Sequence, residues 1–402
     1  MSADAASQRR AGWLARRRRS RRLLALLIAC PLLAGCAAAD KGTTAHSGSS
    51  GMSGMNMSST GAAAVPEVDG QKPVATQVLA TADWQGVEIQ AQARTPVRFV
   101  VFDGAKEQMV NPSKDASFHL MIMLADERTG EPIAYSSSVW ATITNSKGKV
   151  VFGETQWPMI SRYMGPHYGN DVPHLASGRY KLSVLVGPTT FARTAEYKNV
   201  WLKPHSVTAD FDWNANTATA TLIGANKSTS SGPLGSTGGM SGMSGMSIHT
   251  NLSVNGVRAT PSRLIATADW QGMRIQTRTA APTRFYMYDG QGIRSVDPAA
   301  GSSFYLMVML DDKDTSEAIT YAPVYATIKS AAGKVVYHGE MEPTTSAFDG
   351  PYYGNNVKLP GAGRYTLTLR IDAPHEARHL EYRHVWLHPH TVVERLIWRH
   401  VA

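Results

Sequence analysis

Cysteine is almost absent from this chain. Its 402 residues include two cysteines, Cys30 and Cys36, and both lie near the N-terminus. No disulfide framework can stabilise the rest of the chain, which must therefore rely on packed apolar cores. For the same reason no thiolate is available beyond residue 36. Any metal ion bound there needs histidine, methionine or carboxylate ligands.

The sequence also lacks an excess of charge and the common catalytic motifs. The formal net charge is +9, but residues 1–35 carry eight arginines against one aspartate, Asp4, which leaves about +2 for the remainder. Nucleic-acid binding therefore loses its electrostatic support. A Gly-x-Ser-x-Gly elbow, a phosphate-binding loop and closely paired carboxylates are missing as well. Their absence favours a binding protein over an enzyme.

The first 35 residues have the pattern of an export signal. A run of arginines precedes the apolar stretch 23–33, which is too short to remain in a membrane as a helix. The stretch ends in Leu33-Ala34-Gly35-Cys36, which resembles a bacterial lipobox. The resemblance implies that Cys36 is lipidated and anchors the protein at the periplasmic face of a bacterial membrane, with the outer membrane favoured. The alternative is an ordinary secretory signal in which Cys36 has no role.

Two long stretches of the remaining chain are copies of each other. Gly-Pro-His-Tyr-Gly-Asn at 165–170 recurs as Gly-Pro-Tyr-Tyr-Gly-Asn at 350–355, and Ala-Thr-Ala-Asp-Trp at 80–84 recurs at 266–270. The offset stays at 185 or 186 residues, which indicates tandem domains with almost no insertions. We call residues 69–223 repeat 1 and residues 255–402 repeat 2. Each is long enough for a core of its own.

The repeats have the pattern of short β-strands. In Phe118–Leu124 the apolar residues alternate with His119, Met121 and Met123, so the two sets face opposite sides of a strand. Glycine, proline, asparagine and aspartate interrupt several such segments, and no long helical period occurs. The prediction is all-β, with two tandem immunoglobulin-like β-sandwich domains. Residues 157–159 and 165–169 are predicted to lie on a loop.

Two Gly/Ser-rich segments, 36–68 and 224–254, are predicted to be a flexible tether and a linker. Methionine recurs in both at short intervals, and the second also holds a histidine. Thioethers are soft neutral ligands that suit Cu(I). The segments are therefore candidates for auxiliary copper capture, the alternative being a linker without such a role. The residues concerned are Met52, Met55, Met57, Met240, Met243, Met246 and His249.

One set of motifs resembles a known family. Pro158-Met159, then residues 165–170, then Gly178-Arg179-Tyr180 follow a strand that holds His119. This order is similar to that of the periplasmic iron-transport proteins, which are immunoglobulin-like dimers that bind copper and, by proposal, iron, beside an FTR-type iron permease. The resemblance implies that His119, Met159 and His167 are metal ligands. It also implies an inner-membrane iron permease or a copper transporter as partner.

The two repeats depart from the family in complementary ways. The family's last ligand histidine follows the Gly-Arg-Tyr strand, where repeat 1 has Thr194 and repeat 2 has His379. Repeat 2 lacks the other three ligands and has instead Tyr305, Thr344 and Tyr352. The resemblance implies that the last histidine crosses the dimer interface, so we predict an intramolecular pseudo-dimer with one composite site. The alternative is that repeat 2 degenerated and that His379 is one of several exposed histidines.

The donor set bears on the choice of metal. Met121 stands where the family often has a glutamate, and replacing a hard anionic oxygen by a soft sulfur favours Cu(I) over iron. We therefore predict an envelope lipoprotein that binds copper, without catalytic activity, in copper handling or copper-linked iron uptake. Iron is the second candidate metal. The alternatives are an iron-binding or redox component of an FTR-type system and a structural lipoprotein that binds no metal.

Deleting residues 239–249 should lower the total number of Cu(I) ions bound, because the deletion removes several thioethers, and should leave the tightest site intact. Competition with a chromophoric Cu(I) chelator measures both quantities. Loss of the tightest site would show instead that the linker supplies one of its ligands.

Overall fold

Strands make up almost all of the regular structure. The architecture comes from a computed structural model that describes residues 76–133, 138–223 and 253–399. All of these belong to one compact unit. Within these ranges the only helices are short 3-10 turns, and no helix is long and apolar enough to cross a membrane. The export signal, Cys36 and the methionines and histidine of the two Gly/Ser-rich segments lie outside the described residues.

The described residues of repeat 1 form thirteen strands and one 3-10 turn, Ala195–Tyr197. The strands are β1 Gln77–Trp84, β2 Val87–Arg94, β3 Phe99–Asp103, β4 Lys106–Val110, β5 Phe118–Asp126, β6 Val139–Asn145, β7 Val150–Thr155, β8 Trp157–Ser161, β9 Gly165–Val172, β10 Gly178–Val186, β11 Ala192–Arg193, β12 His205–Asn214 and β13 Thr219–Ile223.

The second half of the described chain holds the remaining strands and a 3-10 turn, Leu380–Tyr382. The strands are β14 Ser253–Val254, β15 Val257–Arg258, β16 Ser262–Trp270, β17 Met273–Ala280, β18 Phe285–Tyr288, β19 Ile293–Val296, β20 Phe304–Asp312, β21 Val324–Ser330, β22 Val335–Glu340, β23 Glu342–Ser346, β24 Gly350–Val357, β25 Gly363–Ile371, β26 Ala377–His379 and β27 His390–Trp398.

Each repeat is a sandwich of two sheets around an apolar core. In repeat 1, Leu120 from β5 packs into the same cluster as Val184 from β10, which belongs to the opposite sheet. Leu306 and Leu369 occupy the corresponding places in repeat 2. Because successive side chains of a strand alternate between its faces, the apolar set of β5 fills this core and leaves His119 on the other side of the sheet. The prediction of all-β sandwiches is confirmed.

Two of the sheets contain a strand from the other repeat. One eight-stranded sheet has the order β1-β2-β5-β9-β8-β26-β3-β4, and the other has the order β16-β17-β20-β24-β23-β11-β18-β19. Strand β26 of repeat 2 therefore lies between β8 and β3 of repeat 1, and β11 of repeat 1 lies between β23 and β18 of repeat 2. The facing sheets, β13-β12-β10-β6-β7 and β22-β21-β25-β27, each stay within one repeat.

The segments that the sequence predicted as a loop are paired strands. β8 and β9 form an antiparallel hairpin from Trp157↔Gly169 to Ser161↔Gly165. Proline and glycine suggested a loop because they usually interrupt strands. On its other side β8 pairs with β26, and this pairing begins at residue 159, after Pro158. On its other side β9 pairs with β5, and this pairing involves only residues 168–172, beyond Pro166. Their missing N–H groups therefore break neither of those ladders.

The end of the predicted linker is also ordered. Ser253 and Val254 form β14, which pairs with β15 across Asn255-Gly256, and Val254 is buried in the core of repeat 1. Asn-Gly between two apolar residues is a strong signal for a two-residue hairpin turn. The low-complexity composition of the preceding residues concealed it.

A buried arginine braces the segment that carries each exchanged strand. Arg378 in β26 donates from Nη1 to the carbonyl oxygen of Val385 (2.5 Å) and from Nη2 to that of Pro374 (2.9 Å). Arg193 in β11 donates in the same way to the carbonyl oxygens of Val200 and Thr189. Both arginines are fully buried. In both repeats the same bonds therefore tether the segment that carries the exchanged strand to its own repeat.

A carboxylate next to each exchanged strand binds the other repeat. Glu381 Oε1 accepts hydrogen bonds from the hydroxyl of Ser161 (2.6 Å) and the backbone N–H of Arg162 (3.0 Å). Glu196 Oε1 accepts equivalent bonds from Ser346 and from the N–H of Ala347. The exchange is thus reinforced by buried polar contacts on both sides.

Replacing Arg378 by methionine should lower the free energy of unfolding by roughly 2–5 kcal/mol, because it leaves buried carbonyl groups without a donor. Arg193→Met is the equivalent change in the other exchanged strand and should lower the free energy of unfolding by a similar amount. Urea unfolding followed by tryptophan fluorescence measures both. An unchanged midpoint for either variant would contradict the tether.

Candidate metal centre

Three histidines meet on one face of the first eight-stranded sheet. His119 lies in β5, His167 in β9, and His379 ends β26. Their ring centres are 6.3 Å (His119 to His167), 5.6 Å (His119 to His379) and 5.1 Å (His167 to His379) apart. One ligand nitrogen from each lies within 4.8 Å of the others. The three side chains are 0%, 3% and 2% exposed, respectively. Repeat 1 therefore contributes two imidazoles and repeat 2 contributes the third.

The strand register explains how the two repeats come together here. His167 pairs with Met159 across β9 and β8, and Met159 pairs with Ala377 across β8 and β26. Residues that pair directly share a face of the sheet, and His379 lies two positions after Ala377 on that same face. The exchanged strand thus delivers His379 to the face that holds His167.

His119 reaches the cluster over a glycine. His119 of β5 pairs with Asp171 of β9, which lies two residues after Gly169. A Cβ atom built on Gly169 would lie 2.6 Å from Nε2 of His119. Any larger residue would therefore displace the imidazole.

Hydrogen bonds orient two of the rings. Nδ1 of His119 lies 3.0 Å from Oδ1 of Asp171, and Nδ1 of His167 lies 3.0 Å from the carbonyl oxygen of Gly165. With Nδ1 donating, Nε2 carries the free lone pair. Nε2 has no hydrogen-bond partner in His119, His167 or His379. Buried polar atoms rarely remain unpaired, so three of them in one small space fit a site for a metal ion.

Burial keeps the three imidazoles neutral. It lowers the pKa of His167 to about 3, and it lowers the pKa of His119 and of His379 from their ordinary value. Desolvation of the charged form is the main cause in each case. A neutral imidazole is the form that binds a metal ion. The cluster is therefore in its metal-binding form at neutral pH.

The two methionines predicted as ligands lie on the same face. Met121 pairs with Gly169 and is fully buried; Met159 is 1% exposed and packs against Phe99 and Ala377. The structure therefore brings all five residues of the predicted ordered site, namely His119, Met121, Met159, His167 and His379, onto one side of one sheet. The seven auxiliary residues lie outside the described residues.

Repeat 2 keeps the geometry of this place but not its chemistry. Tyr305 and Tyr352 have ring centres 6.3 Å apart at 87°, close to the 6.3 Å and 86° of His119 and His167. They pack with Ala192 of the exchanged strand β11 in an apolar cluster. Among the described residues, the histidine triad of the first sheet is the one group of three or more His, Cys, Asp or Glu side chains arranged to hold a metal.

Sequence reasoning missed the carboxylate that orients His119. Asp171 also accepts a bond from the N–H of Val97 (3.1 Å) through Oδ1. In repeat 2 the equivalent residue is Asn356, which accepts the same bond from the N–H of Thr283 (3.0 Å). The available signal was that the carboxylate occurs only in the repeat that has His119 and His167. The bond from the backbone N–H group needs no charge, as Asn356 shows, so the carboxylate indicates a second role.

Known proteins resemble this chain over roughly the length of one repeat. A profile described as "Fe2+ transport protein" matches residues 314–396. UPF0423 proteins of Brucella abortus and Brucella suis are 30% identical over 144 residues, which covers 32% of this chain and 74% of theirs. This chain belongs to the family of these UPF0423 proteins. The profile match lies entirely in repeat 2, the repeat that supplies His379 and lacks the other predicted ligands.

Solved structures of similar proteins align at low scores. FetP from uropathogenic Escherichia coli is 19% identical, with a TM-score of 0.28, over 34% of this chain and 96% of its own. Copper-reconstituted P19 from Campylobacter jejuni is 22% identical, with a TM-score of 0.29, over 34% of this chain and 96% of its own.

The contribution of the three buried histidines to the stability of the metal-free protein should fall as the pH decreases below about 6.5. The unfolded state then binds protons that the buried histidines, with their lowered pKa values, exclude from the native state. Each excluded proton contributes a slope of up to about 1.4 kcal/mol per pH unit. The free energy of unfolding of the wild type relative to that of His167→Tyr, which copies Tyr352 of repeat 2, should therefore fall between about pH 6 and 4 with a slope of up to this amount. Urea unfolding at several pH values measures it.

Some buried carboxyl groups act in the opposite direction. Burial raises the pKa of Glu131 and Glu376 to about 8 and of Glu317 to about 7, so the native state holds protons that the unfolded state releases. These groups are common to both proteins and cancel in the difference. His388→Tyr, at an exposed histidine, is the matched control. Equal slopes for the wild type and His167→Tyr would contradict the exclusion of protons at His167.

Proposed function

We propose that this protein binds one copper ion, preferably Cu(I), at His119, His167 and His379, with Met159 and Met121 completing the donor set. The observation that carries this proposal is the convergence of three buried imidazoles whose Nε2 atoms have no partner. An unpaired buried nitrogen is costly, and a bound metal ion removes that cost for all three. Because two histidines come from repeat 1 and one from repeat 2, the chain acts as a fused pseudo-dimer.

The chemistry of the donors favours copper. Imidazole and thioether are neutral ligands of borderline or soft character, which suit Cu(I) better than iron. The carboxylate closest to the triad in the hydrogen-bond network is Asp171, and its Oδ1 is bonded to Nδ1 of His119. In that place it orients a ligand and increases the basicity of the ligand. It does not supply the hard anionic oxygen that iron prefers.

We further propose a place for the protein in the cell envelope. Cys36 would anchor the chain to a membrane, with the outer membrane favoured, and the methionines of residues 36–68 and 224–254 would capture Cu(I) for the ordered site. A flexible tether raises the effective concentration of its ligands near that site without making them part of it. An inner-membrane iron permease or a copper transporter would be the partner. The protein would bind and deliver metal and would not catalyse a reaction.

Ferrous iron is the second candidate, because the profile that matches residues 314–396 is described as "Fe2+ transport protein". The same site could then serve copper handling or copper-linked iron uptake. An anaerobic Fe(II) titration of the same protein shows whether the site binds iron as well as copper. Tight Fe(II) binding that copper cannot displace would favour iron as the cargo.

A Cu(I) titration against a chromophoric chelator should find one site much tighter than any other. His379→Ala should weaken it by more than about 100-fold, because loss of a ligand costs more than loss of a group that merely orients one. His384→Ala removes an exposed histidine from the same repeat and should leave the site unchanged. A tight site indifferent to His379 would confine the centre to repeat 1, and absence of a tight site would favour a structural role.

A further inference from the structure

A buried arginine lies beside the histidine triad. Arg94 ends β2 and pairs in register with His119 of β5. Directly paired residues of antiparallel strands project from the same face, so the guanidinium group lies on the face that holds the triad. The residue is 6% exposed, and its Nε atom has no hydrogen-bond partner.

The charge of Arg94 acts on all three imidazoles. It contributes to the lowered pKa of His119, His167 and His379. The acidic groups that act on Arg94 are Glu381 and Asp171, and both make other bonds. Glu381 Oε1 accepts from Ser161 and the N–H of residue 162, and Asp171 Oδ1 faces His119 and the N–H of residue 97. Arg94 therefore places a positive charge beside the triad, and Glu381 and Asp171 offset it only in part.

The arginine is present only where the histidines are. In repeat 2 the equivalent residue is Ala280, which ends β17 and pairs with Tyr305. Strand β17 forms and pairs along its full length without an arginine there. The fold as such does not require a cation at this position. The arginine therefore occurs with the histidines and is not a requirement of the strand.

We propose that Arg94 is a specificity-determining residue that makes the site favour monovalent over divalent metal ions. The inference rests on the proposed function and adds to it the physical basis of the metal's charge state. The triad and the two methionines are neutral, so no anionic ligand offsets the charge of a bound ion. Repulsion from a fixed cation scales with the charge of the ion, and it is stronger in a buried site than in water. Cu(II), Fe(II) and Zn(II) therefore experience twice the repulsion that Cu(I) does.

The test compares Arg94→Met, which keeps the length but removes the charge, with Arg94→Lys, which keeps the charge. Affinities for Cu(I) and Cu(II) are measured by competition, and the reduction potential of the bound copper by redox titration. In Arg94→Met the ratio of Cu(II) to Cu(I) affinity should rise on the order of tenfold. The potential should fall accordingly by about 59 mV, the one-electron equivalent of a tenfold change. Arg94→Lys should stay close to the wild type.

Arg278→Met is the matched control. Arg278 is a buried arginine on β17, 8% exposed, whose Nε donates to the hydroxyl of Ser262. It is not among the charges that shift the three histidines. Its replacement should leave the affinity ratio and the potential unchanged.

The outcomes separate this inference from the proposed function. Tight copper binding that depends on His379, with an unchanged affinity ratio in Arg94→Met, would overturn the role of Arg94 and leave the proposed function standing. Equal weakening of Cu(I) and Cu(II) in Arg94→Met would show a structural role and overturn it as well. Absence of tight copper binding by the wild type would overturn both.

Discussion

The reciprocal exchange of β11 and β26 is the contact on which the rest of this structure depends. Each exchanged strand is only two or three residues long and pairs on both sides with strands of the other repeat. The buried guanidinium groups of Arg193 and Arg378 bond to backbone carbonyl groups of their own repeats and so fix the segments that carry these strands. Glu196 and Glu381 add buried hydrogen bonds to the other repeat. The position of His379, and with it the composite centre, follows from this arrangement.

Repeat 2 keeps the packing around the place of the triad although its side chains there differ. The tyrosines of repeat 2 fill the space of the imidazoles at the same ring distance, and Gly354 lies beside Tyr305 as Gly169 lies beside His119. A phenol in this buried place keeps the packing and removes the ligand. Repeat 2 thus keeps its fold and supplies the strand end that carries His379 to the triad.

The histidine triad combines deep burial with neutrality. Desolvation keeps its histidines uncharged, Asp171 and the carbonyl group of Gly165 hold two of them by Nδ1, and the methionines add no charge. In such a site each nearby charge has a large effect because no solvent screens it. The carboxylate beside His119 and the cation of Arg94 thus become the main electrostatic features around the triad. Both are present in repeat 1 only.

The sequence alone determined the tandem organisation, the strand character of Phe118–Leu124 and the complementary distribution of His119, His167 and His379 between the repeats. These features are local patterns or self-comparisons, which need no knowledge of long-range pairing. The hairpin of β8 and β9 was missed because a proline disrupts a strand only where a neighbouring strand needs a backbone N–H group at that position. Whether it does depends on which strands lie beside it.

Only the tertiary structure decided the exchange of strands, the unpaired Nε2 atoms and the positions of Asp171 and Arg94 beside the triad. Each of these depends on the registers of strands that are distant in sequence.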